Sequence, residues 1–175
     1  NKSGALIVGR DISIAGNLSL GDAAGGDLSV GGNWTHTTGT FNANSRAVSF
    51  NGATGDQTIT NSSGETFPFV TINKSTSGGV ILAGPVTISN TITLTKGIVN
   101  TSSTNLLHIT NTSSGAISGG NSTSYISGPL RWSVSNSAGG NYKFHLGKSS
   151  TYLPLNINNP TGTSPVLTAE AFASN

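Results

Sequence analysis

Six carboxylates and three imidazoles are the groups in this chain that could do acid–base or metal chemistry: Asp11, Asp22, Asp27, Asp56, Glu65 and Glu170, with His36, His108 and His145. Glycoside hydrolysis needs two converging carboxylates, and a cation site needs several oxygen ligands. Asp11 and Asp27 are the one pair whose spacing invites such a role. They stand sixteen residues apart, each just before a strand-like run (Asp11-Ile12, Asp27-Leu28). On adjacent turns of a repeating structure they would lie one strand spacing apart, close enough to hold a cation. The same placement suits turn residues that bond the backbone, which is the reading adopted. His36 and His108 alternate with apolar or Thr neighbours and read as outward-facing strand residues rather than metal ligands. There is no Cys, no calcium-loop signature, and no glycine loop that leads into a helix. No catalytic residue, cofactor or metal ligand is assigned, and the chain reads as a non-enzyme. The candidate ligand face is Thr35, Thr37, Thr93 and Thr95, where alternation puts all four on one side of their strands.

Positioning such a face requires regular strands, and composition supplies them. Of 175 residues, 24 are Gly and only 8% are charged, with a formal net charge of +2. Scattered basic residues give no stripe for nucleic acid. Val, Ile and Thr are abundant, which suits pleated surfaces rather than disorder. No run of about 18 apolar residues occurs, so no membrane-spanning helix is expected. Low charge with much Ser, Thr, Asn and Gly suggests an extracellular setting. Both ends look cut, as in a piece of a longer protein.

Three-residue runs with apolar side chains at i and i+2 recur along the chain, among them Leu28-Ser29-Val30, Val48-Ser49-Phe50, Val70-Thr71-Ile72 and Ile92-Thr93-Leu94. That is strand periodicity, and the gaps hold turn residues. The segment Leu28–Asn42 is echoed at Val86–Asn100, 58 residues later, with Thr35/Thr93, Thr37/Thr95, Gly39/Gly97 and Asn42/Asn100 identical. Ile12–Leu20 resembles Leu28–His36 at an offset of 16. Very short strands with a repeat indicate an all-β, right-handed parallel β-helix of about six coils of about 19–20 residues each. Trp34, Phe41, Phe50 and Phe69 are expected in its core. Asn33, Asn42, Asn51, Asn73, Asn100 and Asn111 are expected at bends, in left-handed or bridge conformations and stacked in ladders.

Near residue 123 the pattern changes. Ser124–Val134, Tyr142–Gly147, Tyr152–Ile157 and Val166–Phe172 are hairpin-length runs, with a Gly-rich turn at Ala138–Asn141. The chain is therefore expected to divide into a β-helix over residues 1–122 and an antiparallel β cap, or the start of a β-sandwich, over 123–175.

The phrases GNWTHTTGTFNANSRAVSFNGATGDQTIT, TFPFVTINKSTSGGVILAGPVTISNTITLTKGIVN, SYISGPLRWSV and YKFHLGKSSTYLPLNI resemble repeat regions of very large secreted surface proteins of the Bacteroidota. The match runs from about Gly26 to Ile157. Two departures stand out: His145-Leu146 replaces the usual Pro-Val before Gly147-Lys148, and Leu153 replaces a common Arg. The resemblance implies export by the type IX secretion system and an adhesin-like role at the cell surface. The expected function is a non-catalytic structural or adhesive segment of an exported surface protein. Its partners would be surface polysaccharide or another solid surface and the rest of a larger parent chain, without nucleic acid or direct membrane insertion. The alternatives are a ligand-binding solenoid for polysaccharide or ice on the Thr/Asn face, and a fragment of a carbohydrate-active β-helix enzyme.

Overall fold

Short apolar-in, polar-out strands cannot bury their inner faces alone, so they stack. The structure, a computed structural model, describes residues 4–136 and 140–173. Of the Gly-rich turn expected at Ala138–Asn141, residues 138 and 139 lie outside the described residues, and Asn141 opens a strand. Every described element is a β-strand, and none is a helix long and apolar enough to cross a membrane.

The first coil consists of β1 (Leu6–Val8), β2 (Ile12–Ala15) and β3 (Leu18–Ser19), and the second of β4 (Leu28–Val30), β5 (Trp34–Thr38) and β6 (Phe41–Asn42). Next come β7 (Ala47–Phe50), β8 (Gln57–Thr60), β9 (Glu65–Asn73), β10 (Val80–Leu82), β11 (Val86–Lys96), β12 (Val99–Asn100) and β13 (Leu107–Ile109). The last full coil has β14 (Ile117–Gly119), β15 (Ile126–Ser127) and β16 (Leu130–Ser133). After it lie β17 (Asn141–Phe144), β18 (Leu146–Lys148), β19 (Thr151–Tyr152), β20 (Leu155–Asn158) and β21 (Val166–Ala169).

Parallel pairing arranges these strands as a three-faced β-solenoid of about six coils. The first face is β1, β4, β7, the second half of β9, the second half of β11, and β14. The second face is β2, β5, β8, β10, β12, β15 and β18. On the third, β3 and β6 form a separate two-stranded pair, and the first halves of β9 and β11 pair on through β13 to β16. β9 and β11 are long because each turns the corner from the third face to the first, with a register shift between Ile88 and Thr91.

Hydrogen bonds between neighbouring coils join residues 20 to 25 apart over most of the stack, and 27 apart where Ser124 meets Gly97. The coils are thus longer than the expected 19–20 residues, because corner loops vary in length while the strands stay in register. The 58-residue echo is also not a vertical alignment. Leu28 stacks through Val48 and Val70 onto Ile92, whereas its sequence twin Val86 stacks on Glu65 and Leu107. The offset of 16 likewise fails, since Ile12 pairs with Trp34 and Leu28 with Leu6. Each echo matches one face of the solenoid to a different face.

The core is a column of Leu, Ile and Val with an aromatic knot. Trp34, Phe50 and Phe67 are fully buried and meet edge-on, with half-buried Phe41 against them. Phe67 takes the inward place expected of Phe69, which sits half-exposed on the first face. Parallel pairing continues past residue 122 through β15, β16 and β18. Antiparallel strands then close the stack. β21 covers the edge of β16, β19 covers β18, and β17 pairs with β20 so that Tyr142 and Phe144 pack under Trp132. The opposite end differs: β1 is an edge strand, with Leu6 38% and Ile7 76% exposed.

Candidate functional site

The corner residues account for half of the acids. Asp11 accepts the backbone N–H of Asn33 (2.6 Å), Asp27 that of Ala47 (2.9 Å) and Asp56 that of Gly79 (2.7 Å). Each tethers its own coil to the next. Asp11 and Asp27 therefore sit at different corners and do not stack on each other, as register requires when neighbours are more than 16 apart. Asn17 and Asn33 do the same work with Thr40 and Thr58. Of the six asparagines expected in left-handed or bridge conformations, none has a positive φ. Asn44 and Ser45 take left-handed values instead. Asparagine stacking is confined to Asn111, whose Nδ2 donates to the Asn90 carbonyl (3.0 Å) and to Asn90 Oδ1 (3.4 Å). Asp22 is exposed, and Glu170 lies 3.7 Å from Lys148. Among the described residues no three acids or histidines gather as a metal site.

The four threonines all alternate outward, but they divide between two faces. Thr35 is on the second face, in line with Ser13 and Thr60. Thr93 is on the first, in a hydroxyl column of Ser29, Ser49, Thr71, Thr93 and Ser118. Ser118 Oγ donates to Thr93 Oγ1 at 3.0 Å. Thr37 and Thr95 fall at register shifts in β5 and β11, where a strand carries an unpaired residue. Each leads into a corner glycine with positive φ, Gly39 (90°) and Gly97 (108°). A side chain at Gly39 would run into the Gly16 carbonyl. The shared Thr-x-Thr-x-Gly pattern is thus a strand, bulge and corner used twice, on different faces.

Two polar clusters were not legible as sites. In the first, buried Gln57 accepts from Lys74 Nζ (3.0 Å) and Gly52 N–H (2.8 Å) and donates to the Val30 and Gly32 carbonyls. Lys74 is fully buried, and burial lowers its pKa against the opposing pull of Asp56. In the second, Glu65 Oε2 accepts from Trp34 Nε1 (2.9 Å) and His36 Nδ1 (2.8 Å), with Asn61 Nδ2 at 3.4 Å. Asn61 is held by its own Oδ1, which accepts from Ser63 N–H. His36 and Asn61 approach at 3.3 Å, but both atoms are donors, so this is proximity around a shared acceptor. The expected outward orientation of His36 is corrected: it stands in line with Ile14 on Trp34's side of β5, with 9% of its side chain exposed. This cluster floors a groove of about 420 Å³ lined by Thr37, Thr40, Phe41, Ser63 and Thr66.

The signal for both clusters was phase. Gln57 precedes Ile59 by two, Glu65 precedes Phe67, His36 follows Trp34 and Lys74 follows Ile72. A polar residue in step with inward apolar ones must find partners inside.

The other histidines are pinned near the C-terminal end. His108 Nε2 lies 3.1 Å from Ser133 Oγ, and burial and then Arg131 lower its pKa. His145 Nδ1 lies 2.6 Å from the Tyr152 hydroxyl, and burial and then Lys143 lower its pKa. His145, where the resembled repeats carry Pro, thus joins the cap through Tyr152. Comparison with protein-family models, curated proteins and solved structures returned no match.

Proposed function

We propose that this chain is a non-catalytic structural segment of an exported bacterial surface protein, a stiff spacer that presents adhesive contacts. The observation that carries the reading is the use of Asp11, Asp27 and Asp56 to tie successive coils together. Acids committed to backbone N–H groups lend a rod cohesion and leave few for chemistry. The resemblance to type IX secreted repeat proteins of the Bacteroidota supports the same setting. Weak contacts repeated along such a rod add up to adhesion.

A second reading, ligand binding along the first face, is favoured by the in-register hydroxyl column from Ser29 to Ser118. The enzyme-fragment alternative needs three acids in one groove, and Glu65 is the only acid in the groove it floors.

Surface proteolysis of intact producing cells tests the proposal. The segment is expected to be cleaved from, or detected on, the outside. Retention inside unbroken cells would overturn the surface reading, and turnover of a glycan by the purified chain would overturn the non-catalytic one.

A further inference from the structure

We infer that the groove above His36 and Glu65 binds a neutral saccharide, with His36 Nε2 as its anchoring hydrogen-bonding atom. The argument starts from the carboxylate. An ionised Glu accepts only, so the short approach of His36 Nδ1 to Glu65 Oε2 (2.8 Å) places the ring proton on Nδ1. Nε2 is then the ring atom left for a ligand, an acceptor in the neutral ring and a donor in the imidazolium, and a sugar hydroxyl can pair with either.

His36 has no hydrogen-bond partner at Nε2 among the described residues, and no buried side-chain nitrogen or oxygen lacks a partner. The atom is therefore reached from the groove, although the side chain is nine-tenths buried. Trp34 Nε1 and Asn61 Nδ2 donate to the same carboxylate oxygen, Oε2, and help to fix it, so the ring is oriented before any ligand arrives. Pre-orientation of this kind lowers the cost of binding.

The lining selects the ligand class. It carries hydroxyls (Thr37, Thr40, Ser63, Thr66), the Asn61 amide and the half-buried ring of Phe41. It contains no Lys or Arg, and its one acid is Glu65. An anion finds no Lys or Arg to pair with and meets the Glu65 carboxyl at the floor. A polyhydroxylated neutral molecule finds a hydrogen-bonding atom at Nε2, hydroxyls on the walls (those of Thr37 and Thr40 as acceptors, since they already donate to the Ile14 carbonyl and Asn17 Oδ1), and an apolar ring to cover a sugar face. This proposal goes beyond the spacer reading, which stands whether or not the groove is occupied.

The test uses the whole chain with cellohexaose, xylohexaose and mannohexaose as probes and polygalacturonate as the acidic control. The ring nitrogens of His36 are followed by NMR during titration at neutral pH. A neutral hexaose is expected to shift the Nε2 signal together with the amides of Thr37, Asn61 and Thr66, and polygalacturonate is not. His36→Asn keeps a donor near the Nδ1 position and removes Nε2, so it should weaken binding about tenfold. The proposal is overturned if no hexaose moves the His36 signals at millimolar concentration, if polygalacturonate binds as well, or if His36→Asn binds undiminished. Should that variant fail to fold, the titration of the unaltered chain decides by itself.

Discussion

Lys74–Gln57 and Glu65–His36 are two polar clusters inside one apolar stack, and they differ in how they are closed. Around Gln57 each polar group faces another protein group, and Lys74 and Gln57 are 0% and 1% exposed. Around Glu65 the carboxylate is equally buried, but one ring nitrogen of His36 opens to a groove. The difference separates two uses of an inward polar residue. A sealed cluster fixes neighbouring coils, whereas an open one fixes them and also leaves an oriented atom for a ligand.

The sealed cluster should break hardest. Gln57→Leu strands the Lys74 ammonium, the Gly52 N–H and the Gly32 carbonyl, while the Val30 carbonyl keeps the Asn51 N–H, and is expected to cost about 3–5 kcal/mol in chemical denaturation. Adding Lys74→Met should recover much of that loss, because an unpaired buried charge is the main cost. No recovery would mean that Gln57 acts chiefly through the carbonyls of the second coil.

Glu65→Ala removes the shared acceptor of the open cluster. The expected loss is about 2–3 kcal/mol, smaller because His36 can turn to water in the groove. A loss as large as that of Gln57→Leu would show the groove to be effectively closed, and would erase the distinction between the clusters.

The clusters also differ in their pH response. Lys74 has a folded-state pKa below the ordinary 10.5, so between the two values the unfolded chain binds more protons. Stability therefore rises with pH through that alkaline window and gains nothing below it. Melting temperatures measured from neutral pH towards 10.5 should show this rise, and Lys74→Met should flatten it. A rise that persists in the variant would assign the effect elsewhere.

Much of the fold was legible because the strands obey a strict alternation: Leu28-Ser29-Val30 and Ile92-Thr93-Leu94 declare their inner faces residue by residue. The coil register was not legible. In a three-faced solenoid every side uses the same grammar, so strand, bulge and Gly corner recur at Gly39 and Gly97 without marking which side they occupy. Corner loops of unequal length break the period further, while bonds such as that of Asp56 to the Gly79 N–H keep the coils joined. Thr93 was legible as outward, but its column partners Ser29, Ser49, Thr71 and Ser118 required the register. Glu65 was hidden for a different reason: its partners Trp34 and His36 lie about thirty residues away, on the previous coil.

Outward positions supply the contrast to both clusters and the smallest expected effect. Thr93 is half-buried on the first face, and its hydroxyl accepts one hydrogen bond, from Ser118. Thr93→Val keeps the β-branched shape, and Ser118 can take water instead, so stability should change by no more than about 0.5 kcal/mol. Thr71→Val and Ser49→Val should behave alike, because each occupies the same column. Equilibrium denaturation of the three variants checks this. A loss above about 1 kcal/mol for any of them would make the hydroxyl column part of what binds the coils together. Near-neutral values would leave that face free to be varied for contacts with a partner while inward residues hold the rod.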